Sequence, residues 1–176
     1  MDILLTGGSA CGKSSIAEDI LETLGTPHIY IATMIPYGED GQAKVERHRR
    51  LRAGKGFKTV EKYVNISQIQ IEEGSSVLLE CICNLTANEM FDKEGSGQNA
   101  VEAVLNGVNH IREKAANLIV ITNEVGNDGG QYDTDTLKYI ENMGIINNKL
   151  TNSFPTVYEL CCGIPLKIKG ELPWEP

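Results

Sequence analysis

Apolar residues along this chain fall into short unbroken runs separated by stretches with a helical repeat. The run "DILLT" at 2–6 gives way to the glycine-rich "GGSACGKSS" at 7–15, then to "SIAEDILETL", in which Ile16, Ile20, Leu21 and Leu24 recur at helical spacing. Strand, glycine loop and helix are predicted in that order. Further continuous runs at "HIYIA" (28–32), "SVLLEC" (76–81) and "NLIVIT" (117–122) read as buried strands. Strands alternating with helices predict an α/β fold with a mostly parallel sheet covered on both faces. The stretch 42–53 lacks Gly and Pro and reads as helix, and "DKEGSGQN" at 92–99 reads as a loop, because helical spacing resumes at Val101, Val104 and Val108. The end of the chain differs. "TVYELCC" (156–162) and "PLKIK" (165–169) are separated only by Gly163 and Ile164, which predicts a terminal hairpin carrying antiparallel strands.

Composition narrows the class. At 176 residues and 41% hydrophobic content the chain is long enough for a real core, and one domain over 1–176 is the expected organisation. With 24 acidic and 16 basic side chains the net charge is −8, which argues against a general nucleic-acid binder, since backbone phosphates need a broad basic surface. No apolar run approaches the ~20 residues that span a bilayer, and the start of the chain has no basic segment with a small-residue cleavage site, so the expected location is cytoplasmic with no membrane span. The five cysteines, Cys11, Cys81, Cys83, Cys161 and Cys162, have neither Cys-x-x-Cys spacing nor nearby ligand histidines. They are expected to be buried reduced thiols, neither zinc ligands nor a disulfide framework.

The strongest chemical signal is "GGSACGKS" at 7–14, which fits G-x-x-x-x-G-K-[ST] at Gly7, Gly12, Lys13 and Ser14. Glycines let the backbone curl until successive N–H groups point at phosphate oxygens, and the following helix adds its positive end. Lys13 is expected to reach the β- and γ-phosphates and the Ser14 hydroxyl to ligate Mg²⁺. A second carboxylate for that site is expected at the C-terminal end of a neighbouring strand, where "VLLE" places Glu80 and "VITNEVG" places Glu124. The cluster Asp128, Asp133 and Asp135 lacks calcium-loop spacing and reads as a turn and helix cap.

A second signal lies at 44–55, "KVERHRRLRAGK", which holds four of the five arginines, Arg47, Arg49, Arg50 and Arg52, around His48. On a helix these place like charges at i,i+3, which destabilises it by roughly 0.2–0.5 kcal/mol per pair, so the cluster is not there for the fold. Guanidinium forks match phosphate oxygens, and the stretch is read as an anion site. His28, beside a strand, and His110, on a helix, have no such surroundings and are expected to be structural or surface residues.

The blocks "TGGSACGKS", "YIAT" (30–33), "RHR" (47–49), "TVE" (59–61), "LLEC" (78–81), "TNEVG" (122–126) and "GIPLKIKG" (163–170), in that order and almost end to end, resemble the bifunctional adenosylcobinamide kinase/adenosylcobinamide-phosphate guanylyltransferases of cobalamin biosynthesis. The resemblance implies a RecA-like P-loop NTPase fold and a homotrimer. It implies GTP, ATP and Mg²⁺ as cofactors, with adenosylcobinamide and its phosphate as the corrinoid substrates. Catalysis would rest on Lys13 and on His48, the position that matches the family's guanylylated histidine. A neutral imidazole can attack the α-phosphorus of GTP, with arginines and Mg²⁺ neutralising the departing pyrophosphate. Nucleotide contacts implied by the resemblance are Gly7, Gly8, Ser9, Ala10, Cys11, Gly12, Lys13 and Ser14, then Thr33 and Met34, then Arg49, Arg50, Leu51 and Arg52, and finally Glu61 and Glu80. Ser14 and Glu80 would also hold the metal.

This chain departs from the family pattern in three places. "RLRAGKGF" stands where an Arg-Pro is usual, Phe57 stands in for a Trp, and across 127–150 the usual "VP" loop and Arg-Asp are absent, with Ile140 and Glu141 at the Arg-Asp positions. Two functions of other kinds fit the bare motifs: another small-molecule P-loop kinase without a covalent histidine, and a regulatory nucleotide-binding protein.

Overall fold

A computed structural model describes residues 1–52 and 54–173 of the chain, and for Asp40, Lys44, Arg47, His48, Leu51 and Arg52 it describes the backbone alone. Seven strands form one sheet: β1 (Asp2–Gly7), β2 (His28–Ala32), β3 (Lys58–Glu61), β4 (Ser76–Glu80), β5 (Asn117–Ile121), β6 (Thr156–Cys161) and β7 (Ile164–Lys169). Their spatial order is β3-β2-β4-β5-β1-β6-β7, and every neighbouring pair is parallel except β6 with β7. The helices are α1 (Lys13–Thr23), α2 (Gly38–Arg52), α3 (Ile82–Phe91), α4 (Ala100–Lys114) and α5 (Thr134–Ser153).

The four central strands bury consecutive residues, as Ile3, Leu4 and Leu5 of β1 or Val77, Leu78 and Leu79 of β4 illustrate. Consecutive side chains point to opposite faces of a sheet, so both faces must be covered. α1 supplies one cover, packing Ala17, Ile20 and Leu21 against β1, β4 and β5, while α3, α4 and α5 pack on one another as the other layer. Parallel strands joined by helices in this way all end on the same side, and the crevice beyond those ends is where such sheets bind ligands.

Several expectations meet the structure with changes. β3 has no hydrophobic signal of its own because it is an edge strand in which only Val60 is partly covered. α2 begins at Gly38, four residues before the expected Gln42, and Ala53 lies outside the described residues. In the terminal hairpin only β7 runs antiparallel, because β6 pairs in parallel with β1. Cys81 and Cys83 are buried and Cys11 is half-buried, but Cys161 and Cys162 are exposed on the hairpin, where the turn leaves no layer above them. All five thiols are free. The loop at 92–99 lies between α3 and α4 as expected, and Asp133 caps α5 by accepting from Thr136 N–H at 2.8 Å. Among the described residues no helix is long and apolar enough to cross a membrane.

Candidate functional site

The site grows from the loop between β1 and α1. Gly7 closes β1 at φ +127°, and a Cβ there would lie 2.4 Å from the Leu160 carbonyl oxygen of β6, so no side chain fits. Gly12 caps α1 at φ 99° in the left-handed region. The Cys11 carbonyl accepts from Gly163 N–H at 3.0 Å, so the β6–β7 turn braces the loop from the side. Lys13, the first residue of α1, is buried and folds back over the loop, its Nζ donating to the Gly7 carbonyl at 2.9 Å and to the Gly8 carbonyl at 2.5 Å. The eight motif residues thus form a tight loop closed over a lysine at a helix N-terminus, the kind of loop whose backbone amides bind polyphosphates.

Glu80 meets this cradle from β4. Its Oε1 accepts from the Ser14 hydroxyl at 2.5 Å, while its Oε2 is buried with no hydrogen-bond partner among the described residues. Burial pushes the Glu80 carboxyl up to about 6; the Ser14 hydrogen bond and the Lys13 charge act in the opposite direction, and the Glu18 charge acts with the burial. An orphaned carboxylate oxygen beside a serine hydroxyl is what a hard divalent cation satisfies, and Mg²⁺ is commonly held by one carboxylate, a hydroxyl and phosphate oxygens. The donor set therefore fits Mg²⁺. Among the described residues no group of three or more acidic, His or Cys side chains converges on a metal position.

The crevice wall continues from Ser14 and Glu80 through Met34, Cys81, Asn84 and Asn123. It merges with a second recess lined by Tyr30, Ala32, Val45 and Glu61, the two sharing Met34, Glu80, Cys81 and Asn84. Val45 belongs to α2, so that helix borders the recess. Glu61, at the end of β3, is ion-paired with Arg49 of α2 and accepts from the Tyr63 hydroxyl at 3.1 Å. Arg50 faces Glu46 on its own helix at 3.8 Å.

Of the residues read from the sequence, Ser9 to Ser14, Met34, Glu61 and Glu80 line this crevice, and Gly7 and Gly8 meet it through the Lys13 ammonium. Arg49 and Glu61 arrive together but bonded to each other. His48, Leu51 and Arg52 lie on α2, and their side chains are outside the described residues. Thr33 takes a different place from the one the resemblance implies: it is fully buried, with its hydroxyl turned to the backbone at Glu80 and Cys81. Glu124, next to Asn123 of the crevice wall, is exposed, does not itself line the wall, and accepts from Asn127 Nδ2 at 3.1 Å. His28 stacks edge-on against Phe57 and bonds the Leu24 carbonyl, and His110 bonds the Ile69 carbonyl, so both serve the scaffold. Sequence reasoning missed Asn84 and Asn123. The signal for Asn123 was present, as a carboxamide two residues past β5 in the block "TNEVG".

Comparison with known proteins agrees with this geometry. The chain is 28% identical to the bifunctional adenosylcobalamin biosynthesis protein CobU of Escherichia coli, over 96% of this chain and 100% of that protein. It is 25% identical to the bifunctional adenosylcobalamin biosynthesis protein CobP of Pseudomonas aeruginosa, over 96% and 97% of the two chains. Among solved structures, a KaiC-like protein of Pyrococcus horikoshii aligns with 90% of this chain and 71% of its own at 14% identity and a TM-score of 0.43, a likeness too loose to bear on function. The profile of one family matches residues 3–168, nearly the whole chain, and this protein therefore belongs to the cobinamide kinase / cobinamide phosphate guanyltransferase family.

Proposed function

We propose that this protein phosphorylates adenosylcobinamide with ATP or GTP and then transfers GMP from GTP to the adenosylcobinamide phosphate, through a guanylyl group carried on His48, in cobalamin biosynthesis. Supporting the reading above all is the Ser14–Glu80 pair at 2.5 Å beside Lys13, in a crevice that merges with the recess bordered by α2.

In the kinase step the hydroxyl oxygen of the substrate's aminopropanol arm attacks the γ-phosphorus. The bond from that phosphorus to the β-bridging oxygen breaks, and the hydroxyl proton is released. Lys13 exchanges the carbonyls of Gly7 and Gly8 for phosphate oxygens and neutralises their charge. Ser14 and Glu80 would hold Mg²⁺, whose chemistry is to draw charge from the triphosphate oxygens. In the guanylyl step a neutral ring nitrogen of His48 attacks the α-phosphorus of GTP. The bond to the pyrophosphate oxygen breaks, the imidazole N–H proton is shed, and a phosphoramidate results. An oxygen of the substrate phosphate then displaces the imidazole, which takes up a proton as the phosphorus–nitrogen bond breaks, giving adenosylcobinamide-GDP. His48 sits in α2 between Val45, on the recess wall, and Arg49, on Glu61. Arg49 and its neighbours would meet the charge that develops on pyrophosphate.

The reading places one domain in the cytoplasm as a homotrimer. Ile164, Leu166 and Ile168, about half or more exposed on one face of the edge strand β7, favour a subunit contact. Intact-mass measurement after incubation with GTP and Mg²⁺ tests the covalent step. The expected result is one acid-labile GMP per chain, lost in His48→Ala. A wild-type chain that binds GTP yet stays unlabelled leaves only a simple P-loop kinase or a regulatory nucleotide binder.

A further inference from the structure

β2 and β4 end side by side at the mouth of the crevice, with Ala32 opposite Glu80 in the register. Thr33 follows directly and is wholly buried. Its backbone N–H donates to the Glu80 carbonyl at 3.0 Å. Its hydroxyl accepts from Cys81 N–H at 2.8 Å and lies 3.0 Å from the Glu80 carbonyl and 2.9 Å from that of Cys81. One hydroxyl has one proton, so it serves one of those carbonyls at a time while accepting from the amide between them. The Thr33 carbonyl is itself held, accepting from Asn88 Nδ2 at 2.8 Å, and the same amide nitrogen reaches the Tyr63 carbonyl at 2.9 Å. Each polar atom of Thr33 is therefore spent on the backbone around Glu80 or on Asn88, a buried residue of α3.

We propose that Thr33 is a positioning residue for Glu80: its N–H and hydroxyl pin the Glu80–Cys81 peptide unit and the Cys81 carbonyl just past it, so that one carboxylate oxygen rests on Ser14 and the other is kept for the cation that accompanies the nucleotide. The proposal rests on the reading of Ser14 and Glu80 as the metal-holding pair. It reassigns Thr33 from a contact of the nucleotide to a support of the carboxylate. Groups that orient a metal ligand in this way change metal affinity about 10–100-fold when removed, because the ligand loses its fixed direction while the ligand atoms remain. A β-branched hydroxyl suits the task, since its methyl fills the buried space while its oxygen bonds the backbone. Valine reproduces the shape without the bonds, and serine the bonds without the methyl.

The full chain carrying Thr33→Val or Thr33→Ser tests this, with GTP binding measured by calorimetry in EDTA and in Mg²⁺ and with Mn²⁺ binding followed by electron paramagnetic resonance. In EDTA both variants should bind GTP within about twofold of wild type. In metal, Thr33→Val should lose about tenfold or more of the metal-dependent gain and of Mn²⁺ affinity, while Thr33→Ser retains both. Equal weakening of Thr33→Val in EDTA and in Mg²⁺ would mean that Thr33 touches the nucleotide itself, and overturns the proposal. Unchanged metal dependence with a lowered melting temperature would make Thr33 a plain structural peg, and overturns it equally. Should Thr33→Val not fold, Asn88→Ala loosens the same support from behind and must show a smaller loss in the same direction. Glu80→Gln separates the two levels: wild-type metal dependence in that variant removes the metal-site reading itself, whatever Thr33 does.

Discussion

The buried Glu80 carboxylate makes a pH-dependent prediction that needs no substrate. Its carboxyl is raised from 4.5 to about 6, mainly by burial. At 1.36 kcal/mol for each tenfold change in ionisation, that corresponds to about 2 kcal/mol. The sign follows from proton counting. Below 4.5 the group is protonated in both folded and unfolded chains and contributes nothing. Between 4.5 and about 6 the unfolded chain gives up the proton while the folded one keeps it, so the folded state binds more protons and stability falls as pH rises. Above that window a constant penalty of about 2 kcal/mol remains at this one residue. Glu80→Gln cannot titrate. Its new amide also leaves a buried donor without a partner, but that cost is the same at every pH. The difference in unfolding free energy, Glu80→Gln minus wild type, should therefore grow by about 2 kcal/mol between pH 4 and 7, measured by urea unfolding in EDTA without nucleotide. A difference that stays flat across that range refutes the reasoning, because it would mean that the carboxylate is solvated and not held in a dry wall. The same substitution should weaken GTP binding in Mg²⁺, so the penalty at neutral pH is the mark of a charge kept ready for a cation.

Two further outcomes follow from packing. Gly7→Ala puts a Cβ 2.4 Å from the Leu160 carbonyl oxygen and requires φ +127°, so it should destabilise the chain by more than about 2 kcal/mol in urea unfolding and abolish GTP binding; a variant with wild-type stability and affinity would show that the β1–β6 contact is loose. Leu166→Asp, at a position 48% exposed on β7, should leave far-UV circular dichroism unchanged while reducing the mass in sedimentation equilibrium from a trimer to smaller species. A wild-type mass equal to a single 19.2 kDa chain would remove the homotrimer.

What the sequence discloses of this fold depends on how completely each element is buried. β1, β2, β4 and β5 lie in the middle of a parallel sheet with both faces covered, so they appear as unbroken apolar runs that match the strands to within a residue. β3 is an edge strand exposed at Lys58, Thr59 and Glu61, and nothing apolar marks it. The start of α2 is hidden by Gly38 and Gly41, residues that usually argue against helix; a Cβ at Gly41 would crowd the Pro36 backbone at 3.0 Å. The direction of β6 is a matter of topology: α5, 20 residues long, carries the chain back so that β6 can run parallel to β1, and no local pattern encodes that. The site divides in the same way. Gly7, Gly12, Lys13 and Ser14 are legible because the loop's conformation and chemistry are set by neighbours in sequence. Thr33 is not, since whether its hydroxyl faces a ligand or a strand end depends on β4, which lies more than forty residues further along the chain.

The stretch 127–150, where the chain departs most from its family pattern, becomes intelligible through one contact. Gly126 ends the block "TNEVG" at φ +81°, and a Cβ there would fall 2.8 Å from Ile140 Cγ2, so the first turns of α5 lie directly on that loop. At this place an arginine would have to leave the contact to reach the crevice, whereas isoleucine fills it. Glu141, next along, is exposed and pairs with Lys138 on its own helix at 2.8 Å. Ile140 thus packs against the loop that follows β5, while Glu141 keeps its charge on the outer face of α5. The loop it supports is also tied down by Asn147, which accepts from the Thr122 hydroxyl at 2.6 Å and donates to the Asn123 carbonyl at 3.1 Å. Held by these contacts, Asn123 sits on the crevice wall with Asn84 facing the same space. On this wall the chain presents two neutral carboxamides, which can donate to phosphate oxygens and accept from hydroxyls. On the proposed reading, phosphate charge would be met by Lys13, Arg49 and Arg50 of α2 and a cation held at Glu80, which would concentrate the electrostatic work of both reactions on the β1, β4 and α2 side of the crevice.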